Sequence, residues 1–319
     1  MRLKLVPKNT SWDFFSRSKL WIGISIVLVV LSLLSFFIQS LNFGIDFRGG
    51  TSIRTESSES IVVADYRSAL SSLDLGDITI SEVFDPNFAD DQNVAMIRIQ
   101  AQPGQEAATS ILVENSLQKL REVSGDIKFV SVESVGPKVS GELIKTAIIA
   151  VILAISAVLF YIWIRFEWQF AVGAISALIH DVILTIGIFS ALQIKFDLAI
   201  IAAILTIVGY SLNDTVVVFD RVRENLRKFK KRSLVEVMNL SINETMSRTV
   251  MTSVTTLLAL ISLFILGGDV IRGFVFAMIW GVVVGTYSSI FIASAILLWT
   301  GVKRDWSKPN AEAGTQVPK

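Results

Sequence analysis

LWIGISIVLVVLSLLSFFI, residues 20–38, carries no charge and is apolar apart from Gly23, Ser25, Ser32 and Ser35. A helix needs about 20 such residues to cross the hydrocarbon core of a bilayer. A cleaved leader has a shorter apolar stretch, roughly 7–15 residues, followed by a small-residue cleavage site. The residues that follow here, Gln39-Ser40-Leu41-Asn42-Phe43, make a poor cleavage site, so the stretch reads as a retained anchor. Outward from it, five more runs have spanning length, at residues 144–163, 171–191, 199–218, 250–266 and 273–299. The fourth is interrupted near its end by Asn213 and Asp214, and the fifth opens on Thr252, Ser253, Thr255 and Thr256. The expected plan is a first span over 20–39, a polar insert over 40–142, and a bundle of five further spans over 143–300.

Composition agrees with that plan. Of the 319 residues, 52% are hydrophobic and 18% charged, and mean hydropathy is +0.60. Soluble domains run near 45–50% apolar and about 25% charged. Disorder, a collagen-like repeat and a disulfide scaffold are excluded. With no cysteine and only His180, neither a thiolate nor a His-rich metal site can be built, and no cofactor or metal is expected. An outer-membrane barrel would show short alternating strands instead.

The formal net charge of +1 conceals an asymmetry. Residues 1–19, 221–248 and 301–319 carry net charges of +4, +5 and +2, whereas 40–142 holds 8 bases against 16 acids. Lys and Arg in short flanks mark the cytoplasmic side. The reading is therefore a multi-pass inner-membrane protein with cytoplasmic termini (1–19 and 301–319), a basic cytoplasmic loop at 220–248, and an extracytoplasmic insert. Residues 220–233 interleave seven bases with Val222, Leu226 and Phe229, as an amphipathic interfacial helix on an anionic leaflet does. Nothing points to nucleic acid.

Within the insert, residues 51–55, 78–84, 94–99 and 128–135 read as strands, and 61–73 and 106–123 have helical spacing. The β-α-β-β-α-β order is the split βαβ, ferredoxin-like arrangement. The expected class is a membrane α-helical protein with six transmembrane helices and one α+β ferredoxin-like extracytoplasmic domain. No nucleophile with a base stands in the insert, so a binding or mechanical module is expected there rather than an enzyme.

Ionisable groups within spans are costly and are functional candidates by default. Asp214 lies in the cytoplasmic half of the fourth span, beside Asn213. Burial favours its neutral form and a nearby cation its ionised form, so a balanced carboxyl can bind and release protons. The bland alternative is a structural Asp between helices. Arg248 opens the fifth span at a comparable depth, and a salt bridge to Asp214 is geometrically possible. Alternatively Arg248 snorkels to the headgroups. His180 and Asp181 sit mid-span in the third helix, where neighbours point about 100° apart and need not pair. His180 is a candidate relay or a packing group. Gly281 and Gly285 form a Gly-x-x-x-Gly pair that reads as close helix packing, followed by Thr286, Ser288 and Ser289.

Five segments carry a resemblance. NFGIDFRGG (residues 42–50), with Asp46, Gly49 and Gly50, follows the first span. VGPKVSGEL (135–143), with Gly136 and Pro137, enters the second. VGYSLNDTVVVFDRVREN (208–225) ends the fourth, NETMSRT (243–249) opens the fifth, and GGDVIRGF (267–274) leads on to GTYSSI (285–290). In this order they closely resemble the SecF family, protein-export subunits of the resistance–nodulation–division superfamily, over about residues 10–300. The resemblance implies a half-bundle of that superfamily that pairs with SecD, associates with the SecYEG channel, and uses the proton gradient in late steps of polypeptide export. It implies that Asp214 and Arg248 belong to a proton pathway, with a further Asp from SecD, and that the insert contacts the translocating polypeptide or moves with SecD. Two other classes were weighed. An exporter of small molecules or lipids from the same superfamily usually carries two six-span halves. An intramembrane aspartyl protease using Asp181 and Asp214 would need two carboxyls sharing a proton, and no Gly-x-Gly-Asp segment is present.

Overall fold

The computed structural model describes residues 10–302 apart from 74, 77, 84, 86, 87, 90 and 102–109. Residues 1–9 and 303–319, expected as most of the two termini, lie outside the described residues, as do the first four residues of the helix expected at 106–123.

Helix α1 spans Ser18–Gln39. The chain then forms a short strand β1 (Asn42–Phe43), one helical turn α2 (Ile45–Arg48) and strand β2 (Gly50–Ser57). Helix α3 (Val63–Leu70), strands β3 (Ile78–Val83) and β4 (Asn93–Gln100), helix α4 (Ser110–Arg121) and strand β5 (Lys128–Val135) follow. The sheet is antiparallel in the order β3-β4-β2-β5. Side chains alternate across a strand, and the alternation decides which face is covered. Ile53, Ile80, Ala95, Ile97 and Ile99 pack with Tyr66 and Leu70 of α3 and Leu117 and Leu120 of α4. Ser52, Arg54, Thr79, Ser81, Met96 and Arg98 lie on the other face and line a cleft shared with Asp46, Lys195 and Asp197.

The bundle follows: α5 (Pro137–Arg165), α6 (Trp168–Ala191), strand β6 (Lys195–Phe196), α7 (Leu198–Lys228), α8 (Leu234–Leu266) and α9 (Asp269–Ser288). After α9 come a π-helical turn at Ser289–Ala293 and α10 (Ser294–Thr300). Six helices are long and apolar enough to cross a membrane, α9 and α10 together forming the last. Helices α6, α7 and the α9 span have about half or more of their residues buried, whereas α1, α5 and α8 are mostly exposed along their apolar surface. The polar and chemically interesting side chains therefore collect on the three inner helices.

The basic stretch expected as a loop at 220–248 is largely helical, and the interfacial helix expected over 220–233 stops at Lys228, which leaves Phe229 in the turn. Helix α7 continues through Asn213 and Asp214 to Lys228, and α8 begins at Leu234 after a short turn. Arg, Glu, Leu and Lys are good helix formers, and Ser233 with Glu236 forms a capping box that starts α8. The segment at Trp12–Phe14 is strapped to α8: Trp12 N donates to Asn243 Oδ1 at 3.0 Å and Asn243 Nδ2 to the Trp12 carbonyl at 2.8 Å.

The motif at 42–50 clamps the segment that follows α1 to the bundle. Strand β1 pairs in parallel with β6, Asn42 opposite Lys195 and Phe43 opposite Phe196. Asp46 Oδ2 accepts the N–H of Leu198 at 3.1 Å, and Asp197 Oδ1 accepts those of Ala199 and Ile200 at 3.1 and 3.3 Å. Helix N-termini leave N–H groups unsatisfied and favour negative charge, so two acids hold the start of α7. Gly49 and Gly50 have φ of +72° and +129°, a region that disfavours side chains, and a Cβ at Gly50 would collide with the Ile99 carbonyl. Gly136 is extended and precedes α5, whose first residue is Pro137, a preferred position for proline.

Candidate functional site

Asp181 is the hub of the bundle. It is 1% exposed on α6. Its Oδ2 accepts hydrogen bonds from Ser211 Oγ of α7 and Ser288 Oγ of α9, both at 2.7 Å. Its Oδ1 lies 3.0 Å from His180 Nδ1. One carboxyl thus joins three helices, as buried polar groups require. The adjacent pair, expected to diverge by helix geometry, converges because both side chains turn toward each other.

Glycines set the approach that makes this possible. A Cβ on Gly285 would stand 3.0 Å from Ser211 Cβ, and one on Gly281 would overlap the Ile207 side chain. The absent side chains let α9 lie against α7, which brings Ser211 and Ser288 to the same oxygen. The helix changes to π geometry at the next residue, Ser289. Such single turns occur often at functional sites.

His180 is also buried, and its Nε2 has no hydrogen-bond partner among the described residues. Its ring lies 6.1 Å from that of Tyr287. Tyr287 Oη donates to the Trp21 carbonyl at 2.8 Å and lies 2.8 Å from Ser25 Oγ, which ties α9 to α1. Further polar links join the inner helices to α8: Ser253 Oγ to Thr286 Oγ1 at 2.7 Å, and Tyr210 Oη donating to Thr256 Oγ1 at 3.3 Å.

Asp214 lies one turn beyond Ser211 on α7 and is 3% exposed. Its Oδ2 has no hydrogen-bond partner among the described residues. No ion pair within 4.0 Å joins it to Arg248, which is exposed and lines a groove at the α7–α8 end of the bundle. Thr249, next to Arg248, is buried with its Oγ1 unpartnered among the described residues. Asn213 points to the outside of α7 and is exposed. The structure therefore joins His180 to Asp181 directly and leaves Asp214 apart from Arg248. Asp181 and Asp214 share no hydrogen bond among the described residues.

Ser211 and Ser288 were missed as site residues. In the sequence, Ser288 reads as part of a small-residue packing stripe. The available signal was Asp181 itself, because a mid-membrane carboxyl requires donors from neighbouring helices.

The fold and its buried polar centre define a multi-pass membrane protein with a transport architecture. The family described as protein export membrane protein SecD/SecF, C-terminal, matches residues 115–303, and the SecD/SecF GG motif matches residues 34–61. The chain is 58% identical to the protein translocase subunit SecF of Cereibacter sphaeroides over 99% of its own length and 97% of that protein. It is 57% identical to the SecF subunit of Rhodobacter capsulatus over 96% of this chain and 94% of that protein. It superimposes with a TM-score of 0.80 on the crystal structure of SecDF, a translocon-associated membrane protein from Thermus thermophilus, at 33% identity. That match covers 94% of this chain and spans 40% of the SecDF chain. The chain belongs to the SecF family of protein translocase subunits. Its relatives are named as components of a transport machine rather than as enzymes.

Proposed function

We propose that the chain pairs with SecD, associates with the SecYEG channel, and uses the proton gradient to promote late steps of polypeptide export across the inner membrane. The observation that carries this reading is Asp214, a carboxyl 3% exposed inside a span with Oδ2 unpartnered among the described residues. Such a carboxyl inside a span, with the Arg248 guanidinium on the neighbouring helix, is a candidate proton carrier. Moving one charge across about 100 mV supplies roughly 2.3 kcal/mol. Protonation of Asp214 weakens its attraction to Arg248 and lets the helices repack, a bistable element of the kind switches use. His180 and Asp181 lie on the same pathway as a buried relay. Asn213, exposed on α7 at the level of Asp214, faces SecD, since lipid would leave its amide unsatisfied.

The positive flanks support a cytoplasmic side for both termini and the α7–α8 turn. The insert over 40–142 is then extracytoplasmic. Its strand order supports a ferredoxin-like domain that contacts the emerging polypeptide or moves with SecD's larger domain. The test is export into vesicles reconstituted with SecD, SecYEG and the Asp214→Asn chain. Slower gradient-dependent export with intact assembly is expected, and a normal rate under a gradient overturns the reading.

A further inference from the structure

A groove of about 850 Å³ opens at the end of the bundle that carries the α7–α8 turn. Its size falls within the range of ligand clefts, roughly 300–1,000 Å³. Arg165, Arg221, Arg223, Arg227, Lys228 and Arg248 line it against the acids Asp220, Glu224 and Glu244. The acids are already engaged by two of these bases. Arg165 Nη2 lies 3.2 Å from Asp220, and Arg221 reaches Glu224 and Glu244 at 2.6 and 2.7 Å. Arg223, Lys228 and Arg248 have no acid within 4.0 Å among the described residues. Arg223 instead donates to the Arg165 carbonyl at 3.4 Å, and Lys228 lies over the Phe229 ring. The groove therefore presents positive charge that its own acids do not neutralise.

Apolar side chains stand next to the charges. One turn deeper along each of the three helices stand Tyr161 on α5, Val217 on α7 and Met251 on α8. Tyr161 is 56% and Met251 41% exposed, and Val217 lines the groove. A cationic groove at the end of a spanning bundle, with exposed apolar side chains one turn deeper on its flanking helices, matches the polarity of a phospholipid. We infer that this groove binds an anionic phospholipid, its phosphodiester held by Arg223 and Lys228 and its acyl chains lying against Tyr161 and Met251. Basic pockets between transmembrane helices recognise such headgroups through charge, and guanidinium groups match phosphate oxygens with two parallel donors. The site is separate from the buried Asp214, and its occupation does not depend on proton transfer.

The test uses the full chain co-purified with SecD from vesicles of equal phosphatidylglycerol and phosphatidylcholine, with retained lipid measured by native mass spectrometry. Phosphatidylglycerol is expected to exceed phosphatidylcholine by at least about fivefold. The Arg223→Gln/Lys228→Gln chain is expected to bring the ratio near one, and Arg223→Lys/Lys228→Arg to keep the preference. An unaltered complex with a ratio near one overturns the inference. So does a neutralised, properly assembled chain that keeps the preference, or a charge-conserving chain that loses it. Displacement of the lipid by millimolar inorganic phosphate would show a free-phosphate site and overturn it as well. If the neutralised chain does not assemble with SecD, Lys228→Gln alone, at an exposed position, is expected to lower the ratio, and an unchanged ratio counts against the inference.

Discussion

Ser288 Oγ donates to Asp181 Oδ2 at 2.7 Å across 107 residues of chain. The bond fixes how far α9 can rotate against α6, because Ser288 is the last residue before the helix changes to π geometry. Ser211 reaches the same oxygen from α7, so the carboxyl measures the relative position of all three inner helices.

Removing either hydroxyl should loosen this junction. Ser211→Ala and Ser288→Ala are each expected to destabilise by about 0.5–1.5 kcal/mol, and Asp181→Ala by more, because it strands two buried donors at once. Thermal unfolding of the purified chain checks the singles. A double-mutant cycle between Asp181 and Ser288 should show coupling, and strict additivity would mean that the bond contributes nothing.

The glycine contacts between α7 and α9 give a second expectation. Gly281→Val drives a branched side chain into Ile207 and is expected to cost about 1–3 kcal/mol or to abolish folding. Gly209→Ala meets nothing within 4 Å and should be neutral or slightly stabilising, since alanine favours helix. Expression yield and melting temperature of the two variants, measured side by side, decide the matter. Equal behaviour would show that close approach is not what Gly281 provides.

In the α+β domain, hydrogen bonds from Ser58, then Ser124 and Ser57, hold the Asp126 carboxyl well below the usual carboxylate range. The distances are 2.6 Å from Ser58 N, 2.7 Å from Ser124 Oγ and 2.8 Å from Ser57 Oγ. A carboxyl more acidic when folded stabilises the fold at pH above its unfolded value, about 3.9, and that contribution fades as pH falls toward its folded value. Asp126→Asn should therefore lower protection of the Ser57–Ser58 amides at neutral pH. The gap between variant and parent should narrow below about pH 4. Hydrogen exchange across a pH series checks this, and a gap that widens in acid would contradict it.

The clamp at the start of α7 is open to the same kind of test. Asp46→Ala removes the acceptor of the Leu198 N–H and is expected to cost about 0.5–2 kcal/mol, as loss of a capping residue does. Gly50→Ala should cost about 1–3 kcal/mol or more through its backbone conformation and the Ile99 carbonyl. Faster exchange at the first amides of α7 in Asp46→Ala, with the rest of the helix protected, would identify the cap as the cause.

The spans and the strand order were legible because both depend on local periodicity. Residues 20–38 and 273–299 declare themselves by uninterrupted apolar length, and 128–135 coincides with β5. Ionisable groups inside spans were legible for a different reason, their cost in lipid. What escaped was the partner of each. Ser211 and Ser288 resemble any small packing residue until the register between helices is known, and that register comes from tertiary contact at Gly281 and Gly285. The basic segment was legible as helix over 220–228 by its interleaved apolar residues, whereas the extension of α8 back to Leu234 was not, because its charges were counted by sidedness and no glycine or proline marks the helix ends. The parallel pairing of Asn42 with Lys195 joins segments about 150 residues apart, beyond any local pattern.

Helix α7 is continuous from Leu198, held by Asp46, to Lys228 in the basic groove. At 1.5 Å per residue its 31 residues make a rod of about 46 Å. Pivoting such a rod about its capped end by roughly 10° sweeps its far end through about 8 Å. Asp214 stands about midway, so in such a pivot a displacement at the carboxyl grows about 1.6-fold at Arg223 and nearly doubles at Lys228. Mechanically, α7 is one rod that ties the segment holding Asp46 to a charged end that Arg221 and Asn225 fasten to α8.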